Sequence, residues 1–231
     1  MSGRTAVVMP TIPRRAESAL ATIKRLMPQC DQLYVHLDSY PAVPAWMPSG
    51  VRCFVHPHSR GPAVRFSEIP DEKYVIFVDD DLRHPADYVK RVTRALKRLG
   101  PRVAIAYHAA WWPSEASQYR QRKLVPYWGE SAEDQIVTYV GSGTLAVRRV
   151  DLCRVDRSVP DQFRLEDDVW ISAALARAGI RCVRPKSPKD WIRPTTAGND
   201  GLWNEASKDR FKTRDACIVA ALAMGNWKLT R

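Results

Sequence analysis

The sequence has no long apolar segment and few cysteines, and both shortages narrow the kinds of protein it can encode. Its longest apolar run, at residues 216–224, has nine residues, whereas a membrane-spanning helix needs about 20. The N-terminus lacks the extended apolar region and cleavage site of a signal peptide. The five cysteines are scattered and form no CxxC pair, which argues against a disulfide framework or a zinc site. We therefore expect a cytoplasmic protein without a membrane span.

Acidic residues are scarce relative to basic ones. The 231 residues include 36 Lys and Arg against 25 Asp and Glu, which gives a net charge of +11. Such an excess favours a polyanionic partner: nucleic acid, an acidic glycan or an anionic membrane face. A basic surface that serves only solubility is the alternative. The length suits one substantial core, so we expect a single domain over residues 1–231.

Short β-rich runs alternate with helical patterns in the first half of the chain. Strands are predicted at 6–10, 32–38, 51–57, 74–80 and 102–108, and helices at 17–27 and 85–99. In the second half, strands are predicted at 135–141, 143–149 and 181–185, with one helix from residue 167 and a closing helix over 208–224. The segment 194–210 has no apolar period and predicts a loop. Alternating strands and helices predict an α/β fold, a mostly parallel sheet flanked by helices.

Three consecutive carboxylates, Asp79, Asp80 and Asp81, follow the apolar run "YVIFV". At an effective dielectric constant of about 20, two carboxylates roughly 4 Å apart repel each other by about 4 kcal/mol. Along an extended backbone Asp79 and Asp81 point to the same side, so the pair can present two oxygens to one divalent cation. Capping of the following helix is the alternative, but it accounts for one carboxylate only. The triplet therefore predicts a metal site at the carboxyl edge of the sheet.

Several segments, taken in order, resemble the family 2-like glycosyltransferases of the GT-A fold. The segment "MPTIPRR" resembles their opening strand and loop, and "PQCDQLYVHLDSYPAVP" resembles their second strand. The segment "GPAVRFSEIPDEKYVIFVDDD" resembles their donor-binding segment and DxD motif, while "GSGTLAVRR" and "EDDVWISAALARAGI" resemble their acceptor-side strand and catalytic acidic helix. A DxD motif alone occurs by chance in many proteins; the order and spacing of the segments carry the resemblance over most of the chain.

The resemblance implies a Rossmann-like GT-A domain whose first half, about 1–108, binds a nucleotide sugar and whose second half, about 109–231, binds an acceptor. Asp38 would accept hydrogen bonds from the base or ribose, and Arg65 would bind the diphosphate in a bidentate way, unless it is an ordinary surface cation. Asp79 and Asp81 would hold Mn²⁺ or Mg²⁺ against the same diphosphate. The implied donor-binding residues are Thr11, Pro13, Arg14, Asp38, Gly61, Arg65, Asp79 and Asp80.

One departure from the family pattern concerns the metal. Many metal-dependent members supply a further ligand from a histidine near the C-terminus, but all five histidines here lie in the first half. Either donor phosphates and water complete the metal shell, or Asp190, Asn199 or Asp200 contributes.

The resemblance places the catalytic group in Glu166, Asp167 and Asp168. Glycosyl transfer needs the leaving diphosphate stabilised and the acceptor hydroxyl deprotonated, and a carboxylate can serve as the base. We favour Asp168 or Asp167, and an aspartate base suggests an inverting reaction. Acidic residues in a first helical turn are also favoured by the macrodipole by about 0.3–1 kcal/mol each, which is the structural alternative.

The acceptor is predicted from charge and aromatic residues. Tryptophan rings stack on sugars or nucleobases, although we expect about half of the eight to lie in the core. Basic residues interleaved with aromatic ones suit a phosphate backbone. The candidate acceptor-binding residues are Trp111, Trp112, Trp128, Arg120, Arg122, Lys123 and Trp203.

The chain also resembles small bacteriophage enzymes of this kind that glucosylate hydroxymethylated bases of phage DNA. Together with the net charge of +11, this resemblance makes a 5-hydroxymethylated pyrimidine, such as 5-hydroxymethylcytosine, the leading acceptor, with UDP-glucose as the donor and the host cytoplasm as the location. An enzyme acting on duplex DNA would have to flip the base out.

Three alternatives stay open at the level of sequence. In the first alternative, the enzyme catalyses the same reaction but its acceptor is an envelope glycan or a lipid-linked sugar. A sugar nucleotidyltransferase shares the architecture, but the Gly-rich, Lys/Arg-containing loop after its first strand is missing here. A non-catalytic nucleic-acid-binding protein would explain the charge but would leave both acidic clusters without a purpose.

Overall fold

An eight-stranded sheet forms the centre of the protein, in a computed structural model that describes residues 3–113, 118–195 and 211–230. Across the sheet the strands follow the order β3-β2-β1-β4-β11-β6-β12-β9. The strands in chain order are β1 (Thr5–Thr11), β2 (Gln32–Asp38), β3 (Val51–His56), β4 (Tyr74–Phe77), β5 (Leu82–Arg83), β6 (Val103–Ala106), β7 (Ala109–Trp111), β8 (Lys123–Val125), β9 (Gln135–Val137), β10 (Tyr139–Val140), β11 (Leu145–Arg148), β12 (Arg181–Arg184) and β13 (Arg193–Pro194).

Six strands of the central sheet run in one direction and two run in the other. Strands β3, β2, β1 and β4 pair in parallel, as do β6 and β12. Strand β11 lies between β4 and β6 and is antiparallel to both, with Ala146 opposite Ile76 on one side and Ile105 on the other. Strand β9 is antiparallel to β12 at the edge. The predicted α/β fold with a mostly parallel sheet is confirmed.

Helices cover both faces of this sheet. They are α1 (Ala16–Leu26), α2 (Tyr88–Leu99), α3 (Arg149–Leu152), α4 (Asp167–Arg177) and α5 (Lys212–Ala223). Helices α1 and α2 pack on one face, in a core cluster that includes Ile23, Val92 and Leu96. Helices α3 and α4 pack on the other face through residues such as Leu152 and Leu175. Helix α4 is buried on both of its sides, because α5 and the aromatic side chains around Tyr139 cover its outer side.

The sequence pattern explains α2 well. Its buried residues recur at helical spacing, while Lys90, Arg94 and Lys97 face outward. The helix ends at Gly100, whose φ of +87° is a conformation that glycine adopts without steric cost. It begins at Tyr88 rather than at residue 85, because Pro85 lies in the turn that precedes it.

The second half differs from the sequence expectation. The predicted strand 135–141 is interrupted at residue 138 and contributes to two sheets: β9 pairs with β12, whereas β10 pairs with β7. Strands β10, β7 and β8 form a separate antiparallel sheet that the sequence pattern did not predict. The closing helix is described from Lys212 to Ala223, and most of the predicted loop 194–210 lies outside the described residues.

No helix among the described residues combines the length and the hydropathy needed to cross a membrane. All five cysteines lie in the described residues, where each has a free thiol.

Candidate active site

The carboxyl ends of β1, β2 and β4 open into a cleft of about 690 Å³. In parallel α/β sheets this edge is where ligands bind. Segments from the second half of the chain close the other side of the cleft: the turn at 141–144, the residues after β8 and the start of α4. Twelve of the sequence-predicted site residues line it: Thr11, Arg14, Asp38, Gly61, Arg65, Asp79, Asp80, Asp81, Arg122, Trp128, Asp167 and Asp168.

Two arginines compensate the acidic triplet. Arg15 lies 2.8 Å from Asp80 and 3.1 Å from Asp81, measured between the guanidinium nitrogen and the nearest carboxylate oxygens. Arg65 lies 2.7 Å from Asp79. The sequence predicts compensation by a metal ion alone and does not single out Arg15, although Arg15 adjoins the predicted Arg14. The repulsion within the triplet is thus offset by side chains of the protein itself.

Asp80 differs from its two neighbours in exposure. The side chain of Asp80 is 4% exposed and accepts a 2.7 Å hydrogen bond from the Thr11 hydroxyl, whereas Asp79 is 37% and Asp81 25% exposed. Thr11 and Asp80 therefore fasten the end of β1 to the loop after β4. The carboxylates accessible to a ligand are those of Asp79 and Asp81.

The donor set at Asp79 and Asp81 fits a hard divalent cation, which prefers carboxylate oxygen. Burial, followed by the charge of Asp79, raises the pKa of Asp81 to about 7. No group of three or more His, Cys, Asp or Glu side chains able to hold a metal occurs within residues 3–113, 118–195 and 211–230. Asp190 lines a different cavity, and Asn199 and Asp200 lie outside the described residues. Donor phosphates and water would have to complete the coordination shell.

Arg65 joins the two acidic clusters. Its side chain is only 3% exposed, and its guanidinium lies between Asp79 and, at 3.5 Å, the carboxylate of Asp167. Its Nε also donates to the carbonyl of Pro62. These contacts exclude the reading of Arg65 as an ordinary surface cation. The Arg65 guanidinium is thus held on the buried side of Asp79 by the carboxylates of Asp79 and Asp167.

Gly143 is the residue against which Asp79 packs. A Cβ at position 143 would stand 1.8 Å from Asp79 Oδ2 and 2.1 Å from its Cγ, far inside contact distance. The amide of Asp79 also donates to the carbonyl of Gly143. Only glycine at 143 therefore allows the observed position of the Asp79 carboxylate.

We expect Gly143→Ala to displace the Asp79 side chain and to weaken Mn²⁺-dependent nucleotide binding at least tenfold, measured by calorimetry. The overlap falls on a side-chain end rather than on backbone, so the fold and the melting temperature should be nearly preserved. Gly129→Ala is the matched control, because its Cβ would meet only Pro126 atoms, at 3.2 Å or more. If the Gly143→Ala variant bound the nucleotide with Mn²⁺ as tightly as the wild type, the observed position of the Asp79 carboxylate would not be required for binding.

Asp38 and Gly61 shape the cleft where β2 and the loop after β3 meet it. Asp38 is buried and accepts hydrogen bonds from the Ser59 hydroxyl and the Arg60 amide, at 3.1 and 2.7 Å, so it orders the loop after β3. Gly61 has a φ of +70°, and a Cβ there would lie 2.7 Å from the carbonyl oxygen of Arg164. Glycine at 61 thus permits the loop after β3 to touch the segment that leads into α4.

The carboxylates at the start of α4 point to the neighbouring turn. Asp168 accepts hydrogen bonds from the Tyr139 hydroxyl, at 2.8 Å, and from the Ser142 amide, at 2.7 Å. Asp167 accepts one from the Ser142 hydroxyl at 2.8 Å. Asp167 is buried, whereas Asp168 is half-buried at the cleft. Helix capping therefore does not account for the contacts of these two side chains.

The two aspartates differ in their pKa. Burial raises the pKa of Asp167 to about 7, although Arg65 acts in the opposite direction. Burial would also raise the pKa of Asp168, but hydrogen bonds from Ser142 and Tyr139 and the proximity of His108 outweigh it and bring the pKa below its ordinary value. Asp168 is thus the carboxylate held ionised at neutral pH.

Glu166 lies outside the cleft lining. Its carboxylate is buried and forms a 2.6 Å ion pair with Arg214 of α5, whose guanidinium also donates to the Tyr119 hydroxyl. This pair ties α5 to the start of α4. Glu166 is therefore placed to support the acidic helix rather than to contact a ligand.

The predicted acceptor residues divide into three groups. Arg122 and Trp128 line the cleft, and the ring of Trp128 is 42% exposed. Trp112 is fully buried and donates through Nε1 to the carbonyl of Gln118. The prediction that its ring is a stacking surface for the acceptor is therefore wrong, because the ring is part of the core. Trp203 lies outside the described residues. The predicted site residues that are described but do not line the cleft are Pro13, Trp111, Trp112, Arg120, Lys123 and Glu166.

The cleft also includes residues that the sequence did not single out. His108 lies beside Tyr127, and burial lowers the pKa of His108 to about 4, so it is neutral. The sequence singled out none of these side chains, although Arg15, Ser142 and Gly143 lie in segments that resemble the glycosyltransferases. They reach the cleft from strands and turns far apart in the chain. Among them are Arg15, His108, Tyr119, Leu124, Tyr127, Ser142, Gly143, Arg164, Leu165 and Arg214.

No family model matches the sequence, and no curated protein matches it either. Solved structures do. Mannosyltransferase PcManGT from Pyrobaculum calidifontis, in complex with GDP-Man and Mn²⁺, is similar with a TM-score of 0.55 and 15% identity over 97% of this chain and 75% of that one. TarS of S. aureus is similar with a TM-score of 0.57 and 13% identity over 99% of this chain, which spans 44% of TarS. A mycobacterial protein gives a TM-score of 0.58 and 15% identity over 96% of this chain and 76% of its own.

These likenesses concern the fold. The chain shares its fold with these proteins, and the GT-A-like glycosyltransferase fold predicted from the sequence resemblance is confirmed.

Proposed function

We propose that this protein is an enzyme that transfers a hexose from a nucleotide sugar to an acceptor hydroxyl with the help of a divalent cation. One observation carries the proposal: a single cleft brings Asp79 and Asp81 together with the acidic start of α4, and Arg65 contacts both groups. Glycosyl transfer needs charge stabilisation at the leaving diphosphate and a base at the acceptor. The fold of a mannosyltransferase described with GDP-Man and Mn²⁺ adds support.

The donor would bind across the ends of β1, β2 and β4. Asp38 and the loop that it orders lie at the nucleoside end, and Arg14 lines the cleft beside them. Asp79 and Asp81 would hold Mn²⁺ or Mg²⁺. Bound there, the cation would offset the charge that develops on the diphosphate. Arg65 would hold Asp79 in place as this occurs, because it donates to Asp79 from a buried position.

Asp168 is the base in this proposal. An acceptor hydroxyl held at Asp168 loses its proton to that carboxylate as its oxygen bonds to the anomeric carbon of the sugar. The bond between that carbon and the diphosphate oxygen breaks, and its electron pair leaves with the nucleotide. Tyr139 and Ser142 fix the orientation of the carboxylate, while Asp167 is occupied by Arg65 and Ser142. Attack from the side of α4, opposite the leaving group, would invert the anomeric centre.

We propose a 5-hydroxymethylated pyrimidine of DNA as the acceptor and UDP-glucose as the donor. The net charge of +11 supports a polyanionic acceptor, and the acceptor side of the cleft combines Arg122, Arg164 and Arg214 with the rings of Tyr127 and Trp128. Arginine and aromatic side chains together suit a base flanked by phosphates. An envelope glycan or a lipid-linked sugar is the alternative, because an exposed tryptophan also stacks on sugar rings.

The deciding experiment is a donor-hydrolysis panel that includes UDP-glucose and GDP-mannose, with Mn²⁺, with Mg²⁺ and with excess chelator. We expect hydrolysis of one donor only when a cation is present. The same panel is then repeated with hydroxymethylcytosine DNA and with plain DNA. Sugar incorporation only into hydroxymethylcytosine DNA supports the DNA acceptor. Cation-dependent hydrolysis with no incorporation into DNA favours the glycan alternative, and absence of hydrolysis of every donor contradicts the enzyme proposal.

A further inference from the structure

A second cavity lies beside the cleft, and its wall is basic. Strand β5 pairs with β13 in an antiparallel two-stranded ladder that sets Arg83 directly opposite Arg193. Like charges directly opposite each other on paired strands are destabilising. Both residues are exposed and line a cavity of about 230 Å³. A fold that places two guanidinium groups in this register gains stability from an anion between them.

The cavity wall carries more positive charge than these two residues supply. Arg25, at the end of α1, is a third lining arginine, and it donates to the main-chain carbonyl of His84. Within the described residues, no carboxylate lies within 4 Å of the guanidinium groups of Arg25, Arg83 or Arg193. The one acidic residue of the wall is Asp190, whose main-chain carbonyl accepts from Arg193. Three arginines thus face one aspartate.

A buried histidine lies at the same wall and packs against Tyr88. His84 is fully buried and lines the cavity, and neither of its ring nitrogens makes a hydrogen bond of normal geometry in the part of the chain that is described. Buried polar groups are paired in most native structures. An oxyanion in the cavity would supply an acceptor for an imidazole N–H here.

The cavity adjoins the cation-binding edge of the cleft through the main chain. Leu82, the residue after Asp81, lines the cleft, and the next residue, Arg83, lines the second cavity. The amide of Thr195, just after β13, donates to the carbonyl of Asp81 at 2.8 Å. A phosphate in this cavity is therefore separate from the diphosphate of a donor, yet it lies close to the place where the donor reacts.

We propose that this cavity binds a backbone phosphate of a nucleic-acid acceptor whose target base lies in the cleft. The proposal rests on the DNA acceptor of the proposed function. A lipid headgroup is the less suitable source of the phosphate, because none of the exposed large apolar side chains of the described residues lines this cavity. Trp191, its one large aromatic residue, is half-buried against Tyr88, Tyr107 and the guanidinium of Arg91.

The test measures binding of a short labelled DNA duplex by fluorescence anisotropy over a range of salt concentrations. The variants are Arg83→Gln and the double variant Arg83→Gln/Arg193→Gln. Arg181→Gln is the matched control, because Arg181 is exposed, begins β12 and lines neither the cleft nor the second cavity. We expect the double variant to bind severalfold more weakly at low salt. Its log–log salt slope should become less negative by about 0.9, because one phosphate is no longer neutralised. The control should match the wild type.

A stability measurement separates this role from misfolding. Relief of the repulsion between Arg83 and Arg193 should raise the melting temperature of Arg83→Gln at low salt, and inorganic phosphate should raise the melting temperature of the wild type more than that of the variant. Equal duplex affinity and salt slope in the double variant and in Arg181→Gln would overturn the proposal. Loss of binding to vesicles containing anionic lipid, with duplex binding unchanged, would overturn it as well. Calorimetric UDP binding with Mn²⁺ is followed in parallel, so that failure of this site and failure of the donor site are distinguishable.

Discussion

Asp79→Asn should lower sugar transfer by roughly 10²–10³-fold, the loss typical of removing one preorganised electrostatic contact to a developing charge. Asparagine keeps the shape of the side chain but removes its charge, so the cation and the diphosphate lose one anchoring carboxylate. The Asp79 side chain is partly exposed and lies at the end of β4, and we therefore expect the fold to survive. Donor hydrolysis gives the rate, calorimetry gives the affinity for UDP with and without Mn²⁺, and a melting curve reports the fold.

The matched control for Asp79→Asn is Asp161→Asn, an exposed carboxylate outside the cleft lining. Transfer at the wild-type rate with an unchanged Mn²⁺ requirement would remove the assigned metal role of Asp79. The same variant separates an enzyme from a plain nucleic-acid-binding protein. A binding protein would hold DNA as well as before or slightly better, because a negative charge has been removed from a basic protein, and it would show no transfer to lose.

Asp168→Asn should lower kcat by roughly 10²–10⁴-fold, the range that general base catalysis contributes, and should leave UDP and Mn²⁺ binding unchanged. The Oδ1 of asparagine can still accept from the Ser142 amide and its Nδ2 can donate to the Tyr139 hydroxyl oxygen, so the turn at 141–144 keeps its place. Asparagine cannot take the proton of the acceptor hydroxyl. Single-turnover transfer measures the chemical step, and calorimetry measures the donor affinity.

Two comparisons sharpen the Asp168 result. Asp156→Asn changes an exposed aspartate of a loop in the same isosteric way and should have wild-type kinetics. Asp167→Asn should also weaken donor binding, because it removes one of the two carboxylates that hold Arg65 beside Asp79. If Asp167→Asn reduced kcat alone while Asp168→Asn kept full activity, the base would be Asp167.

The sequence predicted those parts of the fold in which local pattern and packing agree. Helix α2 is such a case, because its apolar positions recur at helical spacing and a glycine ends it. The short strands β7, β8 and β10 have no comparable signal: each has two or three residues, and their pairing joins parts of the chain up to about thirty residues apart. The break at residue 138 likewise depends on which partner each half of the segment meets.

The candidate site likewise has a part that the sequence predicts and a part that it does not. The acidic triplet was visible because consecutive carboxylates after an apolar strand are costly without compensation. Its compensation by Arg15 was not visible, because the contact joins residues 65 positions apart. The sequence predicts an acceptor-side position for Trp112 because tryptophans commonly stack on ligands, but its ring packs in a buried cluster with Tyr139 and Trp227 instead. Composition alone does not distinguish a tryptophan buried in the core from one that contacts a ligand.

The position of β11 in the central sheet has a consequence for the integrity of the molecule. This strand comes from the second half of the chain, yet it fills the space between β4 and β6, both of which come from the first half. A fragment ending near residue 108 would expose unpaired backbone along two interior strands at once, and it would also lack the glycine against which Asp79 rests. The two halves named for donor and acceptor are therefore not separable modules. Neither can be exchanged for the corresponding piece of a relative without rebuilding the middle of the sheet.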